Sequence, residues 1–269
     1  MRFAKGHGTE NDFVILPDPG GALAVTPELV ARICDRRAGI GADGVLRAVP
    51  ASGDSAGWFM DYRNADGSIA EICGNGIRVF ARYLLDSGLA AGPGVTVQTR
   101  AGIRQVRSEA DGRLTVDMGM PELLGGGTAR VGGRECAGLR VSVGNPHLAC
   151  LVEAPVGGFD LSSPPELDPG HFPEGGNVEL VQLTGRGSVT MRVRERGSGE
   201  TRSCGTGAVA AAAAASHAAG NGAAGDLSGT WQVQVPGGLL TVTFDGKTSW
   251  LTGPAVVVAE GEINDHWLG

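Results

Sequence analysis

The sequence predicts an α+β fold of two pseudo-symmetric domains, each a curled, barrel-like β-sheet around a central helix, with an active site in the cleft between them. Three observations predict it. The motif Cys-Gly-x-Gly occurs at Cys73 and again at Cys204, nearly half the chain later. Each copy precedes a helical pattern and is flanked by short strand patterns. Glycine, at 46 of 269 residues, is well over twice its usual share of about 7%, which indicates many tight turns.

The first predicted helix covers residues 26–35. Thr26 has a side-chain oxygen that can act as N-cap, and Pro27 suits the first helical position. Elsewhere, short segments of alternating or β-branched residues end at glycine or proline, which is typical of strands. These segments are residues 94–102, 113–119, 139–147, 187–197, 230–244 and 253–263.

Each Cys-Gly-x-Gly motif predicts the start of a helix. In residues 73–88 apolar side chains recur at helical spacing, and Gly88 can end the helix. In residues 204–220 alanine gives high helix propensity, and Gly220 or Gly222 can end it. A helix enclosed by a sheet must be small or apolar on all sides, and the alanines meet this condition. We therefore expect one enclosed helix in each half.

The strand pattern breaks near the middle of the chain, at MGMPELLGGG, residues 118–127. The first half-repeat is therefore expected to occupy residues 1–118, and the second begins at residue 119. A repeat of this length is much longer than the period of a solenoid.

The composition disfavours several classes of protein. The net charge is −7 and the pI about 5.3, without a cluster of Lys or Arg, so nucleic acid and anionic membranes are poor partners. The first residues lack the apolar run of a signal peptide. The weakly apolar stretch at residues 205–215 is too short and too rich in alanine to span a bilayer. A soluble, cytoplasmic protein is expected.

The five cysteines indicate reduced thiols. Their number is odd and no Cys-x-x-Cys pair occurs, so a disulfide scaffold or a zinc ribbon is disfavoured, and no metal site is expected. A cysteine is more often a small buried hydrophobe than a catalyst, and this interpretation suits Cys34, Cys136 and Cys150. Cys73 and Cys204 differ because each precedes a helix.

A thiol at a helix N-terminus lies beside unpaired backbone N–H groups and the positive end of the helix dipole, and both favour the thiolate. The glycines that follow let a ligand approach the backbone, whose N–H groups can hold a carboxylate. Two such thiols facing each other can act on opposite faces of one carbon, one removing a proton and the other delivering one. The repeated motif therefore predicts stereoinversion beside a carboxylate by Cys73 and Cys204.

Further polar residues lie in segments rich in glycine and asparagine, which are expected to form loops. Each one also fits a structural interpretation as a turn former, a solvated strand edge or a satisfied buried imidazole. Together, Asn, Arg and Glu side chains are the set that can bind a second ammonium and carboxylate by directed hydrogen bonds. The candidates are Asn11, Asn64, Asn145, His147, Asn177, Glu195 and Arg196.

The chain resembles diaminopimelate epimerase over nearly its whole length. The resemblance is carried by KGHGTENDFV, DRRAGIGADGVL, RNADGSIAEICGNGIRVFARYL, GNPH, RERGSGETRSCGTGA and GPAVVVAEGEI. It implies a cofactor-independent epimerase that interconverts LL-2,6-diaminopimelate and meso-diaminopimelate, on the route to lysine and peptidoglycan cross-links. It also implies that the final strands return to the first domain. The second half-repeat would then cover residues 119–254, and residues 255–269 would complete the first.

The matching positions imply roles for individual residues. Cys73 and Cys204 match the two acid/base thiols, and His147 and Glu195 match residues that support catalysis. The residues around the reacting carboxylate match Gly74, Asn75, Gly205 and Thr206. The residues that bind the remainder of this small amino-acid substrate match Asn11, Asn64, Asn145, Asn177, Glu195 and Arg196.

Two positions depart from the family pattern. Thr9 and Glu10 replace the Leu-Gly of the frequent HGLGNDF, and Gly44 stands where many members carry a glutamine that contacts substrate. Neither departure affects the thiols.

Other interpretations remain open. A two-cysteine racemase of proline or hydroxyproline shares the thiol chemistry but needs no Asn, Glu and Arg set. A thiol-free isomerase relative with the same double fold is disfavoured by the presence of both cysteines. A pyridoxal-phosphate racemase needs a Schiff-base lysine, and Lys5 and Lys247 lack a phosphate-binding context. The sequence does not decide whether the chain forms a homodimer.

Overall fold

The computed structural model describes residues 1–52, 57–220 and 227–268. These residues form eighteen strands, four α-helices and one 3₁₀ helix. In chain order they are β1 (Arg2–Gly8), β2 (Asn11–Pro17), α1 (Pro27–Cys34), β3 (Gly44–Pro50), β4 (Trp58–Asn64), α2 (Gly74–Asp86), β5 (Gly94–Thr99), β6 (Gly102–Ser108), β7 (Leu114–Gly119), β8 (Glu122–Val131), β9 (Arg134–Ser142), β10 (Pro146–Leu151), the 3₁₀ helix (Val156–Gly158), β11 (Glu166–Leu167), β12 (Asn177–Gly185), β13 (Ser188–Glu195), β14 (Gly199–Thr201), α3 (Gly205–Ala218), β15 (Ser228–Val235), β16 (Gly238–Asp245), β17 (Ser249–Gly253), β18 (Val256–Glu262) and α4 (Asp265–Leu268).

The chain divides into two compact units. One consists of Met1–Val116 and Gly253–Gly269, and the other of Asp117–Thr252. The first unit therefore contains β1 to β6, the first half of β7, and β18, which pairs with β1. The second contains the second half of β7, the whole of β8 to β16 and of α3, and all of β17 except Gly253. This sheet-rich organisation with few helices confirms the predicted α+β class.

The two units pair their strands in the same succession. In the first unit the order is β18-β1-β2-β3-β4-β5-β6-β7, with contacts that are antiparallel, antiparallel, parallel, antiparallel, parallel, antiparallel and antiparallel. In the second unit the order β8-β9-β10-β12-β13-β15-β16-β17 repeats the same seven relations. The short strands β14 and β11 are additions to β13 and β8. The predicted internal repeat is thus present in the topology.

Helix α3 is enclosed by the sheet of its own unit. It contacts β9, β10, β12, β13, β15 and β16, and its residues 205–216 are all buried. Alanine is the residue that lets strands approach a helix from every side, because its side chain adds least to the helix diameter. The helix ends at Ala218 and is followed by Gly220 at φ +76°, while Gly222 lies outside the described residues.

Helix α2 is the counterpart in the first unit. It contacts β1 to β6 and β18, and its residues 74–81 are all buried. Toward its C-terminus only Tyr83 and Leu84 remain buried, so the enclosure loosens after two turns. Within the part of the chain that is described, no helix has the length and apolar character that crossing a membrane requires.

Strand β2 is buried on both faces. Val14 and Leu16 belong to a cluster with Val30 of α1, while the Phe13 ring lies toward Gly76 at the start of α2. A strand covered on both faces reads as a continuous apolar run, so alternation does not reveal it. Helix α1 begins as predicted, with the Thr26 hydroxyl accepting a 3.2 Å hydrogen bond from the Leu29 amide.

The expectation that residues 118–127 interrupt the strands is wrong in part. Strand β8 begins at Glu122 and continues through the glycines to Val131. Its register with β9 shifts between Leu123 and Gly126, where Gly125 adopts φ +84°. Glycine at such a bulge keeps the strand paired while bending it. The glycine run therefore shapes the strand instead of ending it.

The enclosure of α3 predicts a strong penalty for a larger side chain at its centre. Ala212→Leu inserts a branched side chain at a fully buried position and should lower the free energy of unfolding by about 1–3 kcal/mol. Ala218→Leu, at an exposed position in the last turn of the same helix, should change it by less than about 0.5 kcal/mol. Denaturant unfolding of both variants provides the measurement, and equal losses would contradict the enclosure.

Candidate active site

Because the strand order is the same in both units, a residue on one of the matched strands has a counterpart at the equivalent position in the other unit. In β2–β3–β4, Phe13 lies opposite Gly44 and Gly44 opposite Asn64. In β10–β12–β13, His147 lies opposite Asn177, and the Val178–Arg194 pair sets Asn177 against Glu195. The counterparts among the candidate residues are Asn11 and Asn145, Gly44 and Asn177, Asn64 and Glu195, Cys73 and Cys204, and Asn75 and Thr206.

Cys73 is the N-cap of α2. Its backbone is extended, at φ −144° and ψ 113°, and its sulfur accepts a 3.3 Å hydrogen bond from the Gly76 amide. The thiol also donates a 3.7 Å hydrogen bond to Asn11 Oδ1. A Cβ at position 76 would come within 3.3 Å of the Cys73 Cβ and of Leu46. Gly76, the second glycine of the motif, therefore leaves room for the Cys73 side chain to lie against the first turn of the helix.

Cys204 has the same position at the start of α3. Its sulfur accepts a 3.4 Å hydrogen bond from the Gly207 amide and lies 3.5 Å from Thr206 Oγ1. Its electrostatic surroundings differ from those expected for a helix start alone. Burial, followed by the carboxylates of Glu195 and Glu179, raises the pKa of the Cys204 thiol well above its ordinary value.

Asn11, the first residue of β2, is held by hydrogen bonds to two further neighbouring side chains. Its Oδ1 accepts a 3.2 Å hydrogen bond from Asn75 Nδ2, and its Nδ2 donates to Asp43 at 2.7 Å. Arg36 holds Asp43 at 2.8 Å and Asp12 at 2.7 Å. Although burial acts in the opposite direction, hydrogen bonds from Arg36 and Lys5 lower the pKa of Asp12 to about 2. This ionic network fixes the amide of Asn11, and sequence reasoning did not select its members.

In the second unit a chain of hydrogen bonds runs from the helix start into the core. Asn145 Nδ2 donates to Thr206 Oγ1 at 3.4 Å, and Asn145 Oδ1 lies 2.9 Å from His147 Nε2. His147 Nδ1 lies 2.7 Å from Glu179 Oε1, and both of these side chains have no exposed surface. His147 is therefore a buried imidazole with a partner on each nitrogen, connected to the helix start through Asn145.

Glu179 is the main residue of this site that the sequence reasoning missed. A Cβ at Gly207 would come within 2.8 Å of Glu179 Oε1, so the carboxylate lies directly under the start of α3. Its other oxygen has no hydrogen-bond partner among the described residues. The available signal was one glutamate between Val178 and Leu180 in an apolar strand, since a buried carboxylate is rare without a specific role.

Glu195, Arg196 and Asn177 come together at the ends of β12 and β13. Thr201 Oγ1 donates to Glu195 Oε1 at 2.5 Å, and burial raises the pKa of Glu195. The Arg196 amide donates to Asn177 Oδ1 at 2.9 Å. The Arg196 guanidinium remains 45% exposed, 3.8 Å from Glu174. A guanidinium with this exposure retains donors for a carboxylate ligand.

Asn64 ends β4 with its amide already oriented. Its Oδ1 accepts a 3.0 Å hydrogen bond from the Tyr62 hydroxyl, and its Nδ2 donates to Ser68 Oγ at 3.0 Å. A Cβ at Gly44 would lie 2.6 Å from the Arg63 carbonyl oxygen and 2.8 Å from the Tyr62 ring. The ring of Tyr62 thus fills the space in which a side chain at position 44 would begin.

The hairpin that precedes Asn11 is strained. Thr9 and Glu10, which replace the Leu-Gly of the family pattern, adopt φ values of 52° and 62°. Positive φ at both central residues is the conformation of a two-residue hairpin turn, and it is costly for a β-branched residue such as threonine. The strain lies directly beside a candidate substrate-binding residue.

Comparison with known proteins identifies close relatives. The model of the diaminopimelate epimerase family matches residues 3–124 and 139–262. A diaminopimelate epimerase from Thermobifida fusca (strain YX) is 56% identical over 275 residues, which cover 98% of this chain and 98% of that protein.

Solved structures share the fold at low identity. A hydroxyproline epimerase from Agrobacterium vitis with bound trans-4-hydroxy-L-proline superposes with a TM-score of 0.68 at 16% identity, covering 97% of this chain and 91% of that one. A Bacillus anthracis phenazine biosynthesis protein of the PhzF family superposes with a TM-score of 0.69 at 17% identity, covering 98% and 99%. The double sheet-and-helix fold is therefore shared by proteins that are named for different activities.

The buried His147–Glu179 contact predicts an asymmetric response to substitution. Glu179→Ala removes the partner of His147 Nδ1 and leaves a cavity, so the free energy of unfolding should fall by about 2–4 kcal/mol. Glu179→Gln retains a polar group that can pair with either tautomer of the ring and should cost less than half as much. Denaturant unfolding measures both, and equal losses would show that the hydrogen bond contributes little.

Proposed function

The chain belongs to the diaminopimelate epimerase family, and we therefore propose that it interconverts LL-2,6-diaminopimelate and meso-diaminopimelate without a cofactor. One observation carries the proposal at the level of chemistry. In each unit the enclosed helix begins with a cysteine whose sulfur accepts a hydrogen bond from the backbone amide three residues later. Two sulfurs in equivalent settings are what reversible inversion of one carbon requires, because each must act as base in one direction and as acid in the other.

The proposed reaction consists of two proton transfers at one α-carbon. A thiolate removes the α-hydrogen as a proton, and the electrons of the broken C–H bond move into the neighbouring carboxylate. The thiol on the opposite face then gives its proton to the carbon, which reforms the carboxylate with inverted configuration. Cys73 and Cys204 are the two sulfurs. The proposal requires them to approach the same carbon from opposite faces.

The first residues of α2 and α3 stabilise the charge that develops on the reacting carboxylate. Backbone N–H groups at a helix start have no partner within the helix and point toward the ligand. Because they are fixed before the reaction, they stabilise the enolate-like intermediate without reorganising. The proposed contacts are Gly74, Asn75, Gly205 and Thr206.

The rest of the substrate carries an ammonium and a carboxylate that proline lacks. Arg196, with its partly exposed guanidinium, supplies donors for the distal carboxylate. Glu195 and Asn64 supply oxygens that accept from an ammonium. Asn11, Asn145 and Asn177 complete the set through amides oriented by neighbouring groups. The position of Gly44 contributes no side chain, so the proposal uses none there.

His147 acts as a support in this proposal. It holds Asn145, whose amide contacts Thr206 at the start of α3, and its other nitrogen meets Glu179. Glu195 acts closer to the chemistry in this proposal, because its carboxylate, together with burial, raises the pKa of the Cys204 thiol. A cytoplasmic location belongs to the proposal, since the thiols require a reducing compartment. The proposal is compatible with a monomer and with a homodimer, and light scattering of the purified protein would distinguish them.

Hydrogen exchange at the α-carbon tests the function. In heavy water the protein should replace the α-hydrogen of LL-diaminopimelate with deuterium and form the meso isomer. Cys73→Ala and Cys204→Ala should each lower epimerisation by about 10²–10⁴-fold, because each removes one of two general acid/base groups. Mass spectrometry and chiral chromatography provide the measurement.

Two controls sharpen this experiment. Cys136→Ala changes a buried cysteine outside the site and should keep wild-type activity. Proline offered as a second substrate distinguishes the related racemases: exchange with proline and none with diaminopimelate would reject the proposal. Full activity in either of the first two alanine variants would reject the two-thiol mechanism.

Oxidation gives an independent prediction of the two-thiol arrangement. The proposed mechanism requires both sulfurs to reach one carbon, so mild oxidation in the absence of substrate should join Cys73 to Cys204 in a disulfide and abolish activity. Reductant should restore it. Peptide mapping under non-reducing conditions identifies the pair, and activity that air oxidation leaves unchanged would count against the arrangement.

A further inference from the structure

Arg78 is a fully buried cation whose hydrogen-bond partners are all neutral. Its guanidinium donates to Asn75 Oδ1 at 2.8 Å, to the Gly74 carbonyl at 3.4 Å and to the Pro254 carbonyl at 3.4 Å. Its side chain has no exposed surface, and in residues 1–52, 57–220 and 227–268 it forms no ion pair. A Cβ at Gly8 would come within 3.2 Å of its Nη2, so the guanidinium is closely surrounded.

A buried charge without a counter-charge is costly, and proteins usually pair it. Burial lowers the pKa of Arg78 to about 10, while the charge of Cys73 acts in the opposite direction. Arg78 therefore stays protonated at neutral pH. Cys73 Sγ lies 3.7 Å from Asn11 Oδ1, which accepts from Asn75, and Asn75 accepts from Arg78, so the sulfur and the guanidinium lie on one connected set of contacts. A thiolate at Cys73 gives up its own hydrogen bond to Asn11 and keeps the one that it accepts from the Gly76 amide.

The second unit reverses this electrostatic setting at equivalent positions. Five residues after Cys204 the helix has Val209 where α2 has Arg78. Beneath the helix start the second unit has His147 and Glu179, and the first has the apolar counterparts Phe13 and Leu46. A cation thus lies near one sulfur and carboxylates lie near the other.

We propose that Arg78 is the fixed counter-charge of Cys73, so that the resting protein carries its thiolate at Cys73 and its proton at Cys204. The buried, otherwise uncompensated guanidinium favours an anion at the start of α2. Glu179 and Glu195 disfavour an anion at the start of α3. Arg78 is a positioning residue in this scheme, because it acts through the charge state of Cys73.

The remaining charges on the strands around Cys73 pair with one another, and Glu71, two residues before Cys73, is exposed to solvent. Beside Asn11, the carboxylates of Asp12 and Asp43 are matched by Lys5 and Arg36. On β4, the buried Asp61 is paired with Arg100 at 2.5 Å and with Arg63 at 3.3 Å. The buried residues of β1, β2, β3, β5 and β6 are otherwise uncharged, and β18 buries none.

Around Cys204 the titratable side chains come from three strands. β10 contributes His147, β12 contributes Glu179 and β13 contributes Glu195. The buried residues of β15 and β16 are apolar, and those of β9 are Cys136 and Val141. Burial, followed by the carboxylates of Glu195 and Glu179, raises the pKa of the Cys204 thiol, and His147 is hydrogen-bonded to Glu179 at 2.7 Å.

The catalytic meaning of this charge state rests on the proposed function. The Cys73 thiolate would take the α-proton first, and the Cys204 thiol would release its proton to the other face, so the total charge of the pair stays constant. The reverse reaction would start from the protein with the two protonation states exchanged. The pairing of Arg78 with Cys73 itself needs no substrate and can be tested alone.

Site-resolved alkylation tests the charge state in the absence of substrate. The protein is treated with neutral iodoacetamide from about pH 5 to about pH 10, which brackets the ordinary thiol pKa. Mass spectrometry then follows the peptides that contain Cys73 and Cys204. Rates normalised to their own plateau remove the effect of burial. The midpoint for Cys73 should lie below that for Cys204, and a midpoint for Cys204 at or below that of Cys73 would overturn the proposal.

Variants of Arg78 test its role as the counter-charge. Arg78→Met should raise the Cys73 midpoint by about one pH unit or more, and Arg78→Lys, which keeps the charge, should restore most of the difference. Arg82→Met removes an arginine one turn further along α2, where it contacts Asp86, and should leave the midpoint unchanged. An unchanged midpoint in folded Arg78→Met would refute the assignment.

The charge pairing can be judged even if one variant unfolds or if the proposed substrate is wrong. If circular dichroism shows that Arg78→Met is unfolded, the order of the two midpoints in the wild-type protein and the Arg78→Lys profile decide the matter. If the protein shows no exchange with diaminopimelate but has the expected midpoints, the substrate is wrong and the charge pairing stands.

Discussion

The hydrogen bond from a backbone amide to a cysteine sulfur at the start of an enclosed helix is the contact on which this structure depends. It occurs at Cys73 and again at Cys204. Each helix is surrounded by its own sheet, so the helix start is the one place where its backbone donors are available to a ligand. The alanines, the apolar strands and the glycines of the motif all serve to bring a sulfur and free amides to that point.

The two units share the same strand order and differ in the charged residues at equivalent positions. Equivalent positions hold Asn11 and Asn145, yet Phe13 is replaced by His147 and Leu46 by Glu179. A symmetric strand order suits a reaction that must run in both directions. The asymmetric charges favour one distribution of the proton between the two cysteines before substrate binds. The fold thus provides equivalence in geometry without equivalence in electrostatics.

The sequence predicted the elements whose signals are local. The helices after Cys73 and Cys204 and the N-cap at Thr26 were found because motif, propensity and capping coincide there. Strands β2 and β12 were missed, since burial on both faces removes alternation. Glu179 and Arg78 were overlooked because a single charge within an apolar pattern is visible only once its burial is known. The roles of the candidate site residues stay predictions.

Because of strand β18, the two units can complete their sheets at different times during synthesis. The second unit is one continuous segment, Asp117–Thr252, so its sheet can close as soon as that segment has left the ribosome. The first unit waits for β18, which pairs with β1 across nearly the whole chain. The half that is translated first is therefore completed last. Until then the edge of β1 is an unpaired strand, and it is the part of the nascent chain most exposed to wrong pairing.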